Sequence, residues 1–404
     1  METALAPQYR NTPEGREADA ILRTCVHCGF CNATCPTYQL LGDELDGPRG
    51  RIYQIKQVLE GRAVSRLTQL HLDCCLTCTA CETTCPSGVR YHHLLDIGRG
   101  IVEREVKRPL GERFKRRLLR AVLARPERFK LVLSVARALR PLLSASLQRR
   151  IPAVQAIGSR PPATHSRRML VLEGCAQSVA TPATNNALTR VLDRLGISLV
   201  SAPEAGCCGA VDYHLAAHQA GLAAARHNVD VWWPHVEAGV EAIIASASGC
   251  GAMLKDYGHL LRNDPDYADR ARRISTLTRD ASEVLDNEEL ERLQVDGRGR
   301  KVACHVPCSL QHTQKLPNTV PDILRRLGFE LTPVADAHLC CGSAGTYSLL
   351  QEELSQQLLA NKVDHLEAGS PELITTANIG CQLHLQSRAA VPVHHWIELL
   401  DPSV

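Results

Sequence analysis

Eighteen cysteines stand out in this chain of 404 residues, and eight of them fall in two short motifs. Each motif reads Cys-x2-Cys-x2-Cys-x3-Cys-Pro, the spacing found where one chain holds two 4Fe–4S clusters. Three closely spaced thiolates on one loop can reach three irons of a cubane, whereas the fourth cysteine, which opens a helix, points to the other cubane. We therefore expect one cluster on Cys25, Cys28, Cys31 and Cys85, and a second on Cys75, Cys78, Cys81 and Cys35.

A pair of zinc sites is the alternative interpretation of these motifs. Four-cysteine zinc sites usually join two Cys-x2-Cys arms that lie far apart in the chain, not three cysteines at i, i+3 and i+6 with a fourth and a proline. The duplicated spacing therefore favours iron–sulfur clusters. Cys74 stands beside the second motif but outside its pattern, and we expect it to be a packed or spare thiol.

The segment between the motifs predicts a helix, because apolar residues from Arg51 to Leu59 recur at helical spacing. Arg49 and Arg51 lie at the start of this predicted helix. They either lie near a cluster and offset its negative charge or only solvate the start of the helix.

Composition limits the classes of function. The net charge of +3 and an aromatic content of 4% give no support for nucleic-acid binding by the chain as a whole. The first twenty residues lack a basic stretch followed by an apolar one, and no apolar run of about eighteen residues occurs. We therefore expect a cytoplasmic protein, in which clustered thiols hold metal more often than they form disulfides.

Residues 104–168 form a strongly basic connector, with eighteen Lys or Arg against three Asp or Glu. Leucine and valine recur there at helical intervals between prolines. One interpretation is an amphipathic surface for anionic lipid or an acidic partner subunit. The alternatives are helices that pack on the acidic remainder of the chain or, with less support, a nucleic-acid-binding segment.

The C-terminal part of the chain contains an internal repeat. The spacing from Cys175 to Cys207 is 32 residues, and the spacing from Cys308 to Cys340 is the same. In each half, short apolar runs such as Ile197–Val200 alternate with longer helical patterns, and cysteines follow the runs. This pattern predicts two α/β halves with ligands collected at the carboxyl ends of parallel strands.

A glycine follows each Cys-Cys pair, at Gly209 and Gly342. We expect both glycines to relieve crowding where the backbone turns around a metal, because glycine tolerates backbone conformations that other residues avoid.

The motif order resembles the iron–sulfur subunits of the glycolate oxidase, anaerobic glycerol-3-phosphate dehydrogenase and lactate-utilisation families. The phrases ELDGPRGRIY, GCCGAVDYH and CCGSAGTY are most similar to the glycolate oxidase (glycolate dehydrogenase) family. The resemblance covers nearly the whole chain. It implies a multidomain fold: a helical two-cluster ferredoxin-like domain (residues 1–102), a basic helical connector (103–168), and duplicated α/β Cys-Cys-Gly halves (169–290 and 291–404).

In this superfamily the Cys-Cys-Gly domain carries, at its fullest, a fifth cysteine, and in heterodisulfide reductases the full set holds an unusual cluster. Met253 and His384 stand in its place here. Four thiols remain per half, enough for an iron–sulfur cluster or a zinc ion; a redox thiol pair or a structural relic is the alternative. The sites that the resemblance implies are Cys175, Cys207, Cys208 and Cys250 in the first half, and Cys308, Cys340, Cys341 and Cys381 in the second.

The chain has no dinucleotide-binding fingerprint, P-loop or nucleophile elbow, so we expect no catalytic residue and a flavin only in partner subunits. The resemblance implies an electron-transfer subunit that takes electrons singly from flavin-binding glycolate oxidase subunits, where glycolate becomes glyoxylate. A quinone-type acceptor would receive them, with peripheral contact at the cytoplasmic face of the inner membrane. The alternatives are a D-lactate or glycerol-3-phosphate dehydrogenase subunit and a thiol–disulfide reductase of heterodisulfide-reductase type.

Overall fold

The computed structural model describes residues 1–401. The N-terminal part is helical and contains both ferredoxin motifs in loops between short helices. Its helices are α1 (Pro7–Arg10), α2 (Pro13–Thr24), α3 (Pro36–Leu41), α4 (Pro48–Leu59), α5 (Arg66–Asp73), α6 (Ala80–Thr84) and α7 (Tyr91–Glu105).

Local sequence signals explain these helices. Thr12 caps α2, where its hydroxyl accepts a hydrogen bond from the Gly15 amide at 3.0 Å. The predicted helix between the motifs is α4, and its apolar face buries Ile52 and Ile55 in the core of this domain. Cys35 caps α3 as expected. Cys85 instead ends α6 and is followed by a turn, so the expectation that each fourth cysteine opens a helix is wrong for the second motif.

The basic connector is helical as far as Arg150, as predicted, but residues 151–164 form neither helix nor strand. One face of its first helix is bound to acidic residues of the chain itself: Arg116 lies 3.0 Å from Asp73, and Arg120 lies 2.5 Å from Asp212. Within residues 1–401, none of the helices combines the length and apolar character needed to cross a membrane. The connector helices are α8 (Leu110–Leu123), α9 (Pro126–Leu139) and α10 (Ala145–Arg150).

The first cysteine-rich half contains a four-stranded parallel sheet in the order β2-β1-β3-β4. Its central strand pairs Leu172 with Ala245. The elements are β1 (Arg167–Leu172), α11 (Gln177–Ala180), α12 (Pro182–Arg194), β2 (Ile197–Ser201), α13 (Ala210–His214), α14 (His218–Glu237), β3 (Ile243–Ala245), α15 (Ser248–Leu260), α16 (Ala268–Leu277), β4 (Thr278–Asp280) and α17 (Ala281–Leu285).

The second half repeats this topology, with a parallel sheet in the order β6-β5-β7-β8. His305 pairs with Thr376 at the position where the first sheet pairs Leu172 with Ala245. The predicted duplication is thus confirmed. The elements are β5 (Lys301–His305), α18 (Thr319–Arg326), β6 (Glu330–Leu331), α19 (Tyr347–Leu350), α20 (Glu352–Glu367), β7 (Leu373–Thr376), α21 (Ile379–Gln386) and β8 (Val393–His395).

The two sheets share one apolar core. Leu188 and Val191 of α12 pack in the same buried cluster as Trp396 and Ile397 from the end of the second half. A buried hydrogen bond from the Thr184 hydroxyl to Glu398, 2.6 Å long, also joins the halves. The predicted domain boundaries stay predictions; α7 continues to Glu105 and β1 begins at Arg167.

Both glycines after the Cys-Cys pairs adopt a left-handed backbone, with φ of +89° at Gly209 and +88° at Gly342. A Cβ at Gly342 would lie only 2.6 Å from the backbone oxygen of Ser355. A Cβ at Gly209 would likewise lie 2.7 Å from the backbone oxygen of Gly221. The expectation that both glycines relieve crowding agrees with this geometry, because a left-handed φ is costly for other residues and backbone atoms occupy the space of a side chain.

Gly342→Ala should therefore lower the thermal unfolding midpoint more than Gly345→Ala. Gly345 also has a positive φ of +62°, but a Cβ there meets nothing within 4 Å. Each change carries the left-handed penalty of about 1–2 kcal/mol, and Gly342→Ala adds the backbone clash. Equal thermal unfolding midpoints for the two variants would show that the backbone clash at Gly342 does not affect stability.

Candidate iron–sulfur and metal sites

A cavity of about 440 Å³ lies between the two ferredoxin motifs. Cys81 and Pro48 lie in its wall, and both also line the neighbouring cavity. Three cysteines of the first motif and the fourth cysteine of the second line it, which is the set that the spacing predicts for one cluster: Cys25, Cys28, Cys31 and Cys85.

A second cavity, of about 300 Å³, lies beside the first. Tyr91 lines both cavities, and its hydroxyl lies 3.7 Å from the Cys75 sulfur. The cysteines in the wall of this cavity are the set predicted for the other cluster: Cys35, Cys75, Cys78 and Cys81. Each cavity thus offers the four thiols predicted for it, with Cys81 in the wall of both, and four thiols are a donor set that fits a 4Fe–4S cluster.

The two motif loops share an unusual backbone. His27 and Thr77, which occupy matching positions, have φ of 61° and 55°. Gly29 and Thr79, the next matching pair, have φ of 87° and 58°. Residues other than glycine rarely adopt positive φ, and such strain concentrates at functional sites. This backbone strain is consistent with loops that must bring the sulfurs of three cysteines close together.

Burial keeps several of these thiols protonated in the absence of metal. Burial, together with the nearby Cys25, raises the pKa of Cys31 to about 11. Burial also raises the pKa values of Cys78 and Cys81 well above the usual range. Because metals bind thiolates, loading these cavities must release protons.

Arg51 is a fully buried cation in the wall of the second cavity. Its guanidinium lies 3.2 Å from Asp46 and donates hydrogen bonds to Thr37 and to the backbone oxygen of His71. Although burial disfavours its charge, the nearby Cys75 and other acidic groups raise the pKa of Arg51. Of the two roles considered for this arginine, the structure favours charge compensation at a cluster.

Arg49 lines the first cavity but is more exposed, with 35% of its side chain accessible, and it pairs with Glu44 at 2.6 Å. Cys74 lines neither cavity. Burial raises the pKa of the Cys74 thiol to about 11. Its position agrees with the expectation of a packed thiol.

In the first cysteine-rich half, the four candidate cysteines form two sulfur pairs. The Cys175 and Cys207 sulfurs lie 3.4 Å apart, and the Cys208 and Cys250 sulfurs lie 3.6 Å apart. Hydrogen bonds from the thiols of Cys175 and Cys208, with one from the Gly209 amide, lower the pKa of Cys207 well below its usual range. The four sulfurs meet at the carboxyl ends of β1, β2 and β3, as the α/β pattern predicts.

The second half repeats the pairing. The Cys308 and Cys340 sulfurs lie 3.9 Å apart, and the Cys341 thiol contacts Cys381. A ring nitrogen of His305 lies within 4.8 Å of the Cys341 and Cys381 sulfurs, so these three residues can hold one ion. Sequence reasoning missed His305. Aligning the two halves on their cysteines would have shown a histidine where the first half has leucine.

The residues that replace the fifth cysteines have other roles. Met253 is buried in the apolar core of the first half. The imidazole of His384 hydrogen-bonds the Ser355 hydroxyl at 3.1 Å, and burial lowers its pKa to about 4. His384 therefore packs within the second half.

The second half packs directly on the loop of the second motif. Cys78 lies in one apolar cluster with Cys340 and Tyr347. A π-helical turn after Cys308 supplies two hydrogen bonds across this contact. The hydroxyls of Thr313 and Thr79 bond each other at 2.8 Å, and the Thr83 hydroxyl donates to a ring nitrogen of His312 at 3.1 Å. These contacts hold the sulfurs of the second half beside the second cavity.

Two family models match the chain. The 4Fe-4S dicluster domain matches residues 21–89, and the cysteine-rich domain (CCG) matches residues 169–255 and 302–386. The chain is therefore an iron–sulfur protein in which a helical ferredoxin-like 4Fe–4S domain precedes two cysteine-rich domains.

Full-length relatives narrow this class. The glycolate oxidase iron-sulfur subunit of Escherichia coli (strain K12) is 59% identical, over 100% of this chain and 99% of that protein. The probable glycolate oxidase iron-sulfur subunit of Bacillus subtilis (strain 168) is 30% identical, over 94% of this chain and 91% of that protein. Lactate utilization protein A of Geobacillus kaustophilus is 28% identical over 53% of this chain and 90% of that protein. The chain belongs to the family of glycolate oxidase iron–sulfur subunits.

Arg51→Gln should lower the reduction potential of one cluster only, the one in the second cavity. Loss of a buried positive charge favours the oxidised cluster, and a tenfold change in a one-electron equilibrium corresponds to about 59 mV. We expect a shift of that order in a redox titration followed by EPR. Arg49→Gln is the matched control, and its half-exposed charge should shift the other cluster less. Equal shifts in both variants would contradict a special role for Arg51.

Proposed function

We propose that the chain is the iron–sulfur electron-transfer subunit of a glycolate oxidase complex. Flavin-binding partner subunits oxidise glycolate to glyoxylate, and this chain passes their electrons singly to a quinone-type acceptor. The full-length similarity to the E. coli glycolate oxidase iron-sulfur subunit supports this assignment. The observation that carries the electron-transfer role is the pair of adjoining cavities, each lined by the four cysteines predicted for one cluster.

The proposal assigns one 4Fe–4S cluster to Cys25, Cys28, Cys31 and Cys85, and the other to Cys35, Cys75, Cys78 and Cys81. The lining of the two cavities supports this division. Such clusters, when bound, accept and release one electron at a time. Because each set takes cysteines from both motifs and Tyr91 lines both cavities, the clusters would be close neighbours.

The residues around the cavities tune and shield these centres. Tyr91 and Ile52 exclude water from the first cavity, while Arg51 supplies positive charge to the second. Burial, net charge and hydrogen bonds to sulfur are the means by which a protein sets cluster potentials. The second cavity, with the only fully buried arginine among the described residues, is proposed as the centre of higher potential.

Two observations support a proposed direction of electron flow. Cys78 and Cys340 share one apolar cluster, so the second half borders the second cavity, whereas Cys28 in the wall of the first cavity is exposed. We assign electron entry to the first cavity and exit toward the second half. The cysteine-rich halves carry a further iron–sulfur centre or zinc in this proposal, supported by their paired sulfurs.

The connector is proposed to touch the cytoplasmic face of the inner membrane. Leu110, Phe114 and Leu118 form an exposed apolar stripe along α8, with 79%, 68% and 50% of each residue accessible. Exposed Arg113 and Arg117 flank this stripe. Apolar residues flanked by cations are the arrangement with which helices bind anionic lipid surfaces.

Another hydroxy acid is the nearest competing substrate for the complex. Lactate utilization protein A matches about half of this chain at 28% identity, which supports a lactate as the second candidate, and we take D-lactate as the one to test. Purified complex supplied with glycolate and D-lactate separately distinguishes the two: a higher kcat/KM for D-lactate would contradict the glycolate assignment.

Cys28→Ser and Cys78→Ser should each remove one cubane and abolish glycolate-dependent acceptor reduction by the complex, because each loses a predicted ligand. EPR and iron analysis of the reduced protein check the cluster, and dye reduction checks the activity. Cys74→Ser is the matched control and should retain both clusters. Full activity in either ligand variant, or cluster loss in Cys74→Ser, would contradict the assignment.

The double variant Phe114→Glu, Leu118→Glu should bind vesicles of anionic phospholipid at least tenfold more weakly. Withdrawing one such side chain from an apolar layer costs about 1.5–3 kcal/mol, and each 1.4 kcal/mol is about tenfold. Leu67→Glu, which changes an exposed leucine on α5, is the control. Unchanged vesicle binding by the double variant would exclude this surface.

A further inference from the structure

His305 is a buried histidine at the carboxyl end of β5, with 3% of its surface exposed. Its Nε2 atom has no hydrogen-bond partner among residues 1–401. A buried polar atom without a partner is costly, and one that persists needs an explanation such as a bound ion. The neighbours of His305 suggest which kind of ion.

A ring nitrogen of His305 and the sulfurs of Cys341 and Cys381 all lie within 4.8 Å of one another. Zinc binds sulfur at about 2.3 Å and imidazole nitrogen at about 2.0 Å. Two ligand atoms of one ion therefore lie at most roughly 4.6 Å apart. The three atoms need only small movements to share a single ion, and the Cys340 thiol contacts one of them, the Cys341 sulfur.

The first half provides an internal comparison. Cys208 and Cys250 correspond to Cys341 and Cys381, and their sulfurs lie 3.6 Å apart. The strand position that corresponds to His305 is Leu172, which is apolar and buried. The second half thus differs from the first by one added ligand at the same pair of cysteines.

We infer that the second cysteine-rich half binds one zinc(II) or iron(II) ion through His305, Cys341 and Cys381. This inference rests on the proposed metal binding by the cysteine-rich halves and adds a histidine ligand to it. Neutral imidazole and thiolate are the ligands that both ions accept. An iron ion would extend the electron path beyond Cys78, whereas zinc, which has no redox chemistry, would only fix the loops of the second half.

The first experiment compares zinc, iron and sulfide content in full-length wild-type protein, His305→Leu and His384→Leu, all purified without oxygen. His305→Leu places a leucine at the strand position where the first half has Leu172. We expect it to lose one zinc or one iron per chain without loss of sulfide. His384→Leu alters a buried histidine that bonds Ser355, and should keep the full metal content. An unchanged metal content in His305→Leu would overturn the inference.

Spectroscopy of the wild-type protein gives a test that does not depend on how the variants fold. If the ion is zinc, its X-ray absorption spectrum should show imidazole nitrogen together with sulfur. If it is iron, a Mössbauer spectrum should resolve one iron separate from the cubanes. Sulfur-only coordination, or no metal beyond the two cubanes, would overturn the inference. The cubane EPR signals and glycolate-dependent electron transfer test the proposed function separately, since neither requires His305.

Discussion

The exchange of one cysteine between the two ferredoxin motifs is the constraint on which the rest of the structure depends. Cys85 reaches the cavity of the first motif, and Cys35 reaches the cavity of the second. Neither set of four thiols is complete within one loop, so the loops and the helix α4 between them must be placed together. The buried faces of α2, α4 and α7 supply the apolar core that does so.

Charge and contact then distinguish the two cavities. Arg51 is buried against the second cavity and is held by Asp46 and the backbone of α5. The same cavity borders the second half through Cys78 and Cys340. The first half meets the ferredoxin-like domain elsewhere, where His93 stacks on a histidine of α15 at 3.8 Å and bonds Asp256 at 3.2 Å. The two repeated halves therefore contact the ferredoxin-like domain differently, and the second half is the one that borders the second cavity.

The features that were predicted correctly from the sequence are those that hydrophobic periodicity and cysteine spacing encode. The duplicated motifs, the helix α4 and the repeated α/β halves all leave local patterns, and the structure has each of them. Three-dimensional contacts leave no such pattern: nothing local shows that the second half packs on Cys78, or that Arg51 is buried. His305 was missed for a related reason, since it becomes a candidate ligand only when strand register brings it to Cys341 and Cys381. The expectation that Cys85 opens a helix was wrong. Both motifs end in Cys-Pro, but a helix directly follows only Cys35.

The most direct test of the account is the EPR spectrum of the reduced, anaerobically purified protein, with iron and sulfide measured on the same sample. Two clusters that exchange one ligand must be close neighbours, so the account predicts at least eight irons per chain and two cubane signals that are split by magnetic interaction. Fewer irons, or two cubane signals that show no interaction, would contradict the shared arrangement of Cys35 and Cys85.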